Sequence, residues 1–264
     1  MPSKRFWREM PTTEFEGDTA DWIAVLPLAA VEQHGPHLPV GVDAFIAEGM
    51  VERCAASLPP DSPVTFLPLE EVCKSNEHIG FAGTLTLDWE TTIRGWLDIG
   101  ASVARAGVRK LVLITSHGGN VDPMGIVARE LRVRHGMLVV TTSWGRLGKW
   151  REIYDYGPVF TDIHGGDSET SVMLALRPDL VDMSRAEDFD SAQSALKAKY
   201  RRIGYHGSDA NISWVSEDLN PKGPAGDASA ATAEKGEKDI ASMVAGFCEL
   251  MKEVEAMAPP EART

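Results

Sequence analysis

Four short apolar runs along the chain, each bounded by polar or turn-forming residues, predict buried β-strands. The strongest is Lys110–Thr115, whose sequence KLVLIT is uniformly apolar and rich in β-branched residues. The run WIAVLPL at residues 22–28 is similar, although Pro27 predicts that the strand ends there. The other two runs are 64–67, which lies between two prolines, and 137–142.

Segments with a helical spacing of apolar residues alternate with these runs. The predicted helices are 43–58, 91–106, Val121–His135, 169–176 and a long one at 228–257. Strands that alternate with helices in this way favour a mainly parallel sheet that is covered by helices on both faces. The pattern therefore predicts the α/β class.

Composition and charge narrow the possible functions. The chain has 264 residues, enough for one large domain or two small ones, and 39 Asp and Glu against 26 Lys and Arg give a net charge of −13. This charge argues against nucleic acid or an anionic membrane as the main partner. The three cysteines lack CxxC spacing, so we expect no disulfides. With no recognisable signal peptide or membrane span, the expected location is the cytoplasm.

Residues of the metal-ligating types follow the first predicted strand directly. The segment VEQHGPHLPVGVD, residues 31–43, carries Glu32, His34, His37 and Asp43 on a loop that its Gly and Pro residues keep irregular. Residues i and i+2 of an extended segment point the same way, so Glu32 and His34 can face one point, to which Asp43 could return. Such a ligand set suits a divalent metal, and a carboxylate can bridge two of them. The alternative is a solvated polar loop whose histidines bond to backbone carbonyls.

A second histidine-bearing loop follows the strand Lys110–Thr115. His117 precedes Gly118 and Gly119, small residues that allow a ligand to approach the backbone closely. Ligands of parallel sheets bind beyond the carboxyl ends of the strands, so this loop and residues 31–43 are expected at the same edge. His117 would then be a fourth metal ligand, and Gly118 would lie beside the substrate.

The segment DIHGGDSETS, residues 162–171, has two possible roles. Its acidic residues could simply cap the helix that follows and complement the helix dipole. In the functional interpretation, His164 donates or accepts a proton and Glu169 is a metal ligand.

Ser75, Glu77 and His78 form another polar cluster after a strand, suited either to substrate binding or to an interface between subunits. Trp144 and Trp150 could cover a pocket that binds the substrate, or they could be ordinary packing residues.

Five motifs together resemble the creatininase family of metal-dependent amidohydrolases. They are LPLAAVEQHGPHLPVGVD, SNEHIGFAGTLTL, ITSHGGN, IHGGDSETS and GPAGDASAATAEKGE, and they occur in the order found in that family. The resemblance implies one three-layer α/β/α domain over residues 1–264, two divalent metal ions per chain (Zn, Mn or Fe) and a homo-hexamer. It also implies that Glu32, Asp43 and His117 hold one ion, whereas His34 and the bridging Asp43 hold the other.

Two departures from the family pattern concern the substrate and the second metal. Creatininase proper has a Glu at the position of Gly119 that helps to bind the second metal, so Glu169 is the candidate replacement here. The HGGN form is similar to other branches, including a deformylase of archaeal flavin and deazaflavin biosynthesis and the mycofactocin peptidase. Ala29 and Ala30 stand where relatives commonly carry Gly-Ser. Creatinine is therefore not the favoured substrate.

The function expected from the resemblance is hydrolysis of an amide-type C–N bond by a water that two metals activate. The substrate would be a small cyclic amide, a formamide or a small peptide-like molecule. His164 and Glu77 are the expected catalytic residues, and Ser75, His78, Trp144 and Gly118 are expected to bind the substrate. The alternatives are a non-catalytic metal-binding oligomeric scaffold, and a metal-assisted lactonase or isomerase on the same fold.

Overall fold

A parallel four-stranded sheet lies at the centre of the computed structural model, which describes residues 1–260. Its strands are β1 (Ile23–Leu28), β2 (Val64–Phe66), β3 (Lys110–Thr115) and β4 (Leu138–Ser143), in the spatial order β2-β1-β3-β4. Strands β1 and β3 pair from Ile23↔Lys110 to Leu28↔Thr115, so they end together. The loops that leave these two central strands therefore start side by side.

The helices surround this sheet and fill the segment between β4 and the C-terminal helix. They are α1 (Val42–Ser57), α2 (Trp89–Arg105), α3 (Val121–His135), α4 (Trp144–Leu147), α5 (Trp150–Ile153), α6 (Asp167–Leu176), α7 (Ala192–Lys199), α8 (Ser216–Leu219) and α9 (Ala233–Ala256). Four two-residue strands complete the fold: β5 (Asp188–Phe189) pairs with β8 (Gly226–Asp227), and β6 (Ile203–Gly204) pairs with β7 (Ala210–Asn211).

Alternate side chains of the buried strands point to opposite faces and divide the core in two. Ile23 and Val25 of β1 lie in a cluster with residues of α1, α6 and α9. Ala24 and Leu26 of the same strand lie in a second cluster with residues of α2 and α3. The result is the predicted α/β class, with three layers in the order α/β/α.

Two predicted boundaries are wrong for local reasons. Strand β1 continues through Pro27, whose carbonyl accepts from Glu70 N at 3.1 Å on the β2 side of the strand. The regular pairing with β2 has already ended at Val25↔Phe66, so the missing proline N–H removes no bond from the ladder. The long C-terminal helix begins at Ala233 and not near Ala228, because Thr232 caps it by accepting from Lys235 N.

No helix within residues 1–260 has both the length and the apolar composition that crossing a bilayer would require.

Candidate metal centre

The loops after β1 and β3 meet at the carboxyl ends of these strands, as predicted. After β1 the chain turns out and returns, and the bond from Glu32 N to Val40 O (2.8 Å) closes this excursion. The closure carries Asp43, in the first turn of α1, back toward Glu32. Ser116, which follows β3, donates its hydroxyl to the carbonyl of Asp43 at 2.8 Å and ties the two loops together.

Two glycines make this close meeting of loops possible. Gly35 has a φ of +86° and Gly165 a φ of +62°, in the left-handed region that side chains other than glycine rarely adopt. A Cβ at Gly165 would lie only 3.0 Å from the carbonyl oxygen of His34. Gly165 therefore lets the loop before α6 pass directly over the loop after β1, and His164 arrives beside His34 with 4.1 Å between ring centroids.

Glu32 lies at the centre of the resulting cluster. Its Oε1 is 3.2 Å from His117 Nδ1, 3.3 Å from His78 Nε2 and 3.7 Å from His164 Nδ1. Its Oε2 accepts from the hydroxyl of Ser75 at 2.6 Å. The Glu32 side chain is only 1% exposed, so its charge has to be balanced inside the protein.

Asp43 and Glu169 complete the set of carboxylates on the other side of His34. Asp43 Oδ2 lies 3.7 Å from His34 Nε2 and 3.8 Å from His117 Nδ1. Glu169 Oε2 lies 3.7 Å from His34 Nε2, and it is held there by the backbone N–H of Gly165 at 2.5 Å.

Backbone carbonyls fix the protonation pattern of three histidines. His34 Nδ1 lies 3.1 Å from Glu32 O, His117 Nε2 2.9 Å from Lys74 O, and His164 Nε2 2.5 Å from Gln33 O. Only an N–H can donate to a carbonyl, so the other nitrogen of each neutral ring carries a lone pair. All three of these opposite nitrogens face the carboxylates, which is the orientation of metal ligands.

His78 presents the opposite pattern. The side-chain oxygen of Gln33 accepts from Gly35 N at 3.0 Å, so its amide nitrogen is the group that donates to His78 Nδ1, also at 3.0 Å. The proton of His78 then lies on Nε2, the atom that faces Glu32. His78 thus presents an N–H and not a lone pair to the cluster, which makes it unsuited to metal ligation.

Burial keeps most of these imidazoles neutral. It lowers the pKa of His34 and of His164 to about 4, and that of His78 to about 2. His117 is the exception: burial works to lower its pKa, but the Glu32 carboxylate outweighs this and holds it well above its ordinary value.

The carboxylates lack the positive charge that their number requires. Burial raises the pKa of Asp43 well above its ordinary value, and the negative charge of Glu32 raises it further. Burial also raises the pKa of Glu169. Within residues 1–260, the ion pairs of Glu32, Asp43, Glu77 and Glu169 involve only histidines, with no Lys or Arg. A bound cation would supply the missing charge.

The residues present fit divalent metal ions. Glu32 Oε1, His34 Nε2 and Asp43 Oδ2 are buried and have no hydrogen-bond partner, although such atoms are almost always paired in folded proteins. Their neighbours form three sets whose ligand atoms lie within 4.8 Å of one another: Glu32 with His34 and His164, Glu32 with Asp43 and His117, and His34 with Asp43 and Glu169. Mixed carboxylate and imidazole sets of this kind suit Zn, Mn or Fe.

The structure places the remaining predicted residues at different distances from this cluster. Ser75 and His78 contact Glu32 directly, whereas Glu77 Oε1 lies 3.3 Å from His117 Nε2, on the side of that ring that faces away from Glu32. Gly118 is exposed at the first position of a 3₁₀ turn. His37 bonds to the hydroxyl of Thr170 at 2.9 Å and so supports the loop without facing the ligands.

Trp144 is not brought to the cluster. Its side chain is 1% exposed and packs against Phe247 of α9 in the hydrophobic core, with ring centroids 5.6 Å apart. The physical reason is that α4 begins immediately after β4 and packs against α9, which turns this indole inward. Direct contact between Trp144 and a substrate is therefore not supported by this structure.

Three residues at the cluster were missed by the sequence analysis. Gln33 orients His78, and Asn120 donates to Ala29 O at 2.9 Å while accepting from Lys74 N at 3.2 Å, which connects three loops. Trp214 packs edge-on against His78 at 6.2 Å. Gln33 lies inside the quoted motif between two predicted ligands, and Asn120 ends the SHGGN motif, so both could have been found. Trp214 lies in a segment without a recognisable pattern.

A separate cavity of about 420 Å³ lies between α5, the loop after it and α7. Its lining is aromatic and includes Trp150, Tyr156, Phe160 and His206. None of the residues in the three metal-ligand sets lines it, so the chemistry suggested by the cluster does not take place in this cavity.

Comparison with known proteins identifies one family. The creatininase family model, described as creatinine amidohydrolase, matches residues 8–251. The creatinine amidohydrolase of Pseudomonas putida is 34% identical over 209 residues, which cover 73% of this chain and 79% of that protein. A mycofactocin precursor peptide peptidase of Mycobacterium ulcerans (strain Agy99) is 32% identical over 243 residues, covering 89% of this chain and 87% of the relative.

Solved structures extend the agreement to the whole fold. A crystal structure of creatinine amidohydrolase (creatininase) superposes with a TM-score of 0.77 at 28% identity, covering 97% of this chain and 100% of the other. Two more creatininase structures at 28% identity are described by their metals, one as a Mn form and the other, a point mutant, as a Zn-Zn type.

The fold and the buried ligand set define a metal-dependent hydrolase of the α/β class. More particularly, the chain belongs to the creatininase family and is an amidohydrolase.

Proposed function

We propose that this protein hydrolyses an amide-type C–N bond of a small cyclic amide, a formamide or a short modified peptide, with two divalent ions at the cluster. The observation that carries the proposal is the set of buried ligand atoms without partners, on Glu32, His34 and Asp43. Burying a carboxylate oxygen or an imidazole nitrogen without a partner costs free energy. A bound cation would be a partner for all three atoms.

The sharing of ligands between the three sets favours two ions over one. Asp43 belongs both to the set with Glu32 and His117 and to the set with His34 and Glu169. A carboxylate shared in this way would be suited to hold two ions at once. We therefore assign Glu32, Asp43 and His117 to one ion, and His34, Asp43 and Glu169 to the other. Glu169 thus takes the place of the family ligand that is missing at Gly119.

When bound, the ions would activate a water molecule and polarise the carbonyl of the substrate. The chain itself would move the proton through His164. Its Nδ1 carries a lone pair, because Nε2 donates to Gln33 O, and burial keeps the ring neutral. His164 therefore first accepts a proton from the attacking water at Nδ1 and then returns it to the leaving nitrogen.

The substrate class follows from the relatives together with the surroundings of the cluster. One relative is named for creatinine and the other for a precursor peptide, and both are more than 30% identical to this chain. Trp214 lies beside His78 at the cluster and supplies an apolar surface on which the substrate could pack. The proposed substrate is thus a compact amide with an apolar part.

Metal content and turnover of variants test this proposal. We expect the metal-loaded protein to hold about two ions per chain by elemental analysis and to hydrolyse at least one of creatinine, N-formyl compounds and short peptides. His34→Ala should lose metal and activity together. His164→Asn should lower kcat by roughly 10²- to 10⁴-fold while keeping most of the metal.

His135→Ala is the matched control, because this histidine ends α3 and belongs to none of the metal-ligand sets. It should keep wild-type metal content and activity. A wild-type protein that binds almost no metal but forms a stable oligomer would instead indicate a non-catalytic scaffold. Full activity of His164→Asn would rule out its role in proton transfer.

A further inference from the structure

Glu77 lies directly behind one of the metal ligands. His117 Nε2 is 2.9 Å from Lys74 O and 3.3 Å from Glu77 Oε1, so one N–H faces two acceptors. The opposite nitrogen, Nδ1, is 3.2 Å from Glu32 Oε1 and faces the cluster. Glu77 is thus separated from the cluster by the imidazole itself, and its side chain is 17% exposed.

Gly119 supplies the space that Glu77 occupies. A Cβ at this position would collide with Glu77 Oε1, and it would lie 2.5 Å from His117 Nε2 and 2.9 Å from Lys74 O. The backbone of Gly119 is not in the left-handed region, so conformation does not demand glycine there. Glycine is required there because Glu77, His117 and Lys74 crowd the position that a side chain would occupy. The neighbouring Gly118 has nothing within 4 Å of its Cβ position.

We propose that Glu77 is a positioning residue for His117, and that Gly119 leaves open the space in which the Glu77 carboxylate reaches the His117 ring. A carboxylate on the outer nitrogen of a ligating histidine fixes the tautomer and the ring orientation, and it makes the inner nitrogen a stronger ligand. Glu77 therefore strengthens metal binding through His117 without touching the metal or the substrate. This inference rests on the proposed metal site and adds to it the residue that orients one of its ligands.

The sequence position of Glu77 supports a specific role. It lies in a 3₁₀ turn, Asn76–His78, and both the last residue of this turn, His78, and the residue before it, Ser75, contact Glu32. One short segment therefore contacts two of the proposed ligands, with Ser75 and His78 on Glu32 and Glu77 on His117.

Binding of Co²⁺ and Zn²⁺ to chelator-stripped protein tests the inference. For Glu77→Gln, which keeps the size and removes the charge, we expect the dissociation constants to rise about 10- to 100-fold. Glu77→Asp should recover part of the loss. The visible absorption bands of bound Co²⁺ should keep their positions, because the ligands themselves do not change. Wild-type affinity in Glu77→Gln and Glu77→Ala would overturn the proposal, as would shifted bands showing that Glu77 binds the ion directly.

Two alanine variants test the role of Gly119 separately. Gly119→Ala should weaken metal binding at least as much as Glu77→Gln, whereas Gly118→Ala should bind Co²⁺ like the wild type. Equal affinity of both alanine variants would contradict the space argument. Failure of the wild type to bind metal would overturn the proposed function, whereas tight binding by both the wild type and Glu77→Gln would overturn only the inference about Glu77.

Discussion

At the scale of single residues, the cluster is organised by hydrogen bonds to the backbone. The carbonyls of Glu32, Gln33 and Lys74 accept from His34, His164 and His117, and each bond directs the opposite ring nitrogen inward. Since the carbonyls of Glu32 and Gln33 belong to a loop that itself carries ligands, folding of that loop also orients the imidazoles of His34 and His164. The site should therefore be largely formed before any metal binds, which lowers the entropic cost of binding.

Asp239 provides a test of residue-scale electrostatics away from the cluster. It is 5% exposed on α9 and accepts from the Tyr154 hydroxyl at 3.2 Å, and burial raises its pKa from 3.8 to about 6. The folded state therefore favours the protonated acid, so the stability that Asp239 contributes is present below pH 4 and is lost as the pH rises through 6. Asp239→Asn should be more stable than the wild type at pH 8, by on the order of 1–3 kcal/mol, and this gain should vanish near pH 4.

Urea unfolding in the presence of a chelator at several pH values would measure this difference. Asp98→Asn, on the exposed face of α2, is the control for the same chemical change outside the core. A constant difference between Asp239→Asn and the wild type from pH 4 to 8 would contradict the expectation.

At the scale of secondary-structure elements, close packing of α9 against α6 supports the loop that carries His164 and the first turn of α6, which carries Glu169. Helix α6 begins directly after that loop and carries Glu169 in its first turn. Gly236 of α9 lies against α6, and a Cβ there would collide with the carbonyl of Ser171. The two helices can therefore approach this closely only because residue 236 has no side chain.

Gly236→Ala should consequently destabilise the protein by roughly 1–3 kcal/mol, since the collision is with backbone and not with a flexible side chain. Gly95→Ala is the matched control in α2, where nothing lies within 4 Å of the Cβ position. That change should stabilise by about 0.5–1 kcal/mol, because alanine is the better helix former. Thermal and urea unfolding would show whether the free energy of unfolding falls in Gly236→Ala and rises in Gly95→Ala. A more stable Gly236→Ala would refute the packing argument.

At the scale of the whole molecule, the two core clusters share one sheet. Strands β1 and β3 contribute alternate side chains to both, so neither cluster can lose its packing without exposing the other. This arrangement supports the proposal that residues 1–264 form a single domain. The homo-hexamer that the family resemblance implies remains a prediction about how whole chains assemble.

Unfolding and native mass measurements test these two proposals together. We expect far-UV circular dichroism and tryptophan fluorescence to report one coincident urea transition, because the core is shared. Native mass spectrometry should give six times the 28.7 kDa of the chain. Two separated transitions would indicate two domains, and a monomeric mass would contradict the hexamer.

The sequence by itself determined the α/β class, the four strands of the sheet and the loops that carry the ligands. Apolar runs such as KLVLIT are long and uniform enough to identify buried strands, and His and carboxylate residues directly after them mark the functional edge. The positions of Glu32, His34, Asp43 and His117 in one cluster were thus predictable. Apart from α6, the elements between β4 and α9 were not predictable, because most of them are two to four residues long and carry little periodicity.

Only the tertiary structure decided how each side chain is used. Trp144 turns inward because α4 packs on α9, Trp214 reaches His78 from a segment without a pattern, and Glu77 faces the back of His117. These roles depend on contacts between residues far apart in sequence, whereas periodicity reports only the local conformation and the buried face. The identity of an acidic or aromatic residue predicts what chemistry it can perform, but its neighbours in space determine which part of that chemistry it performs.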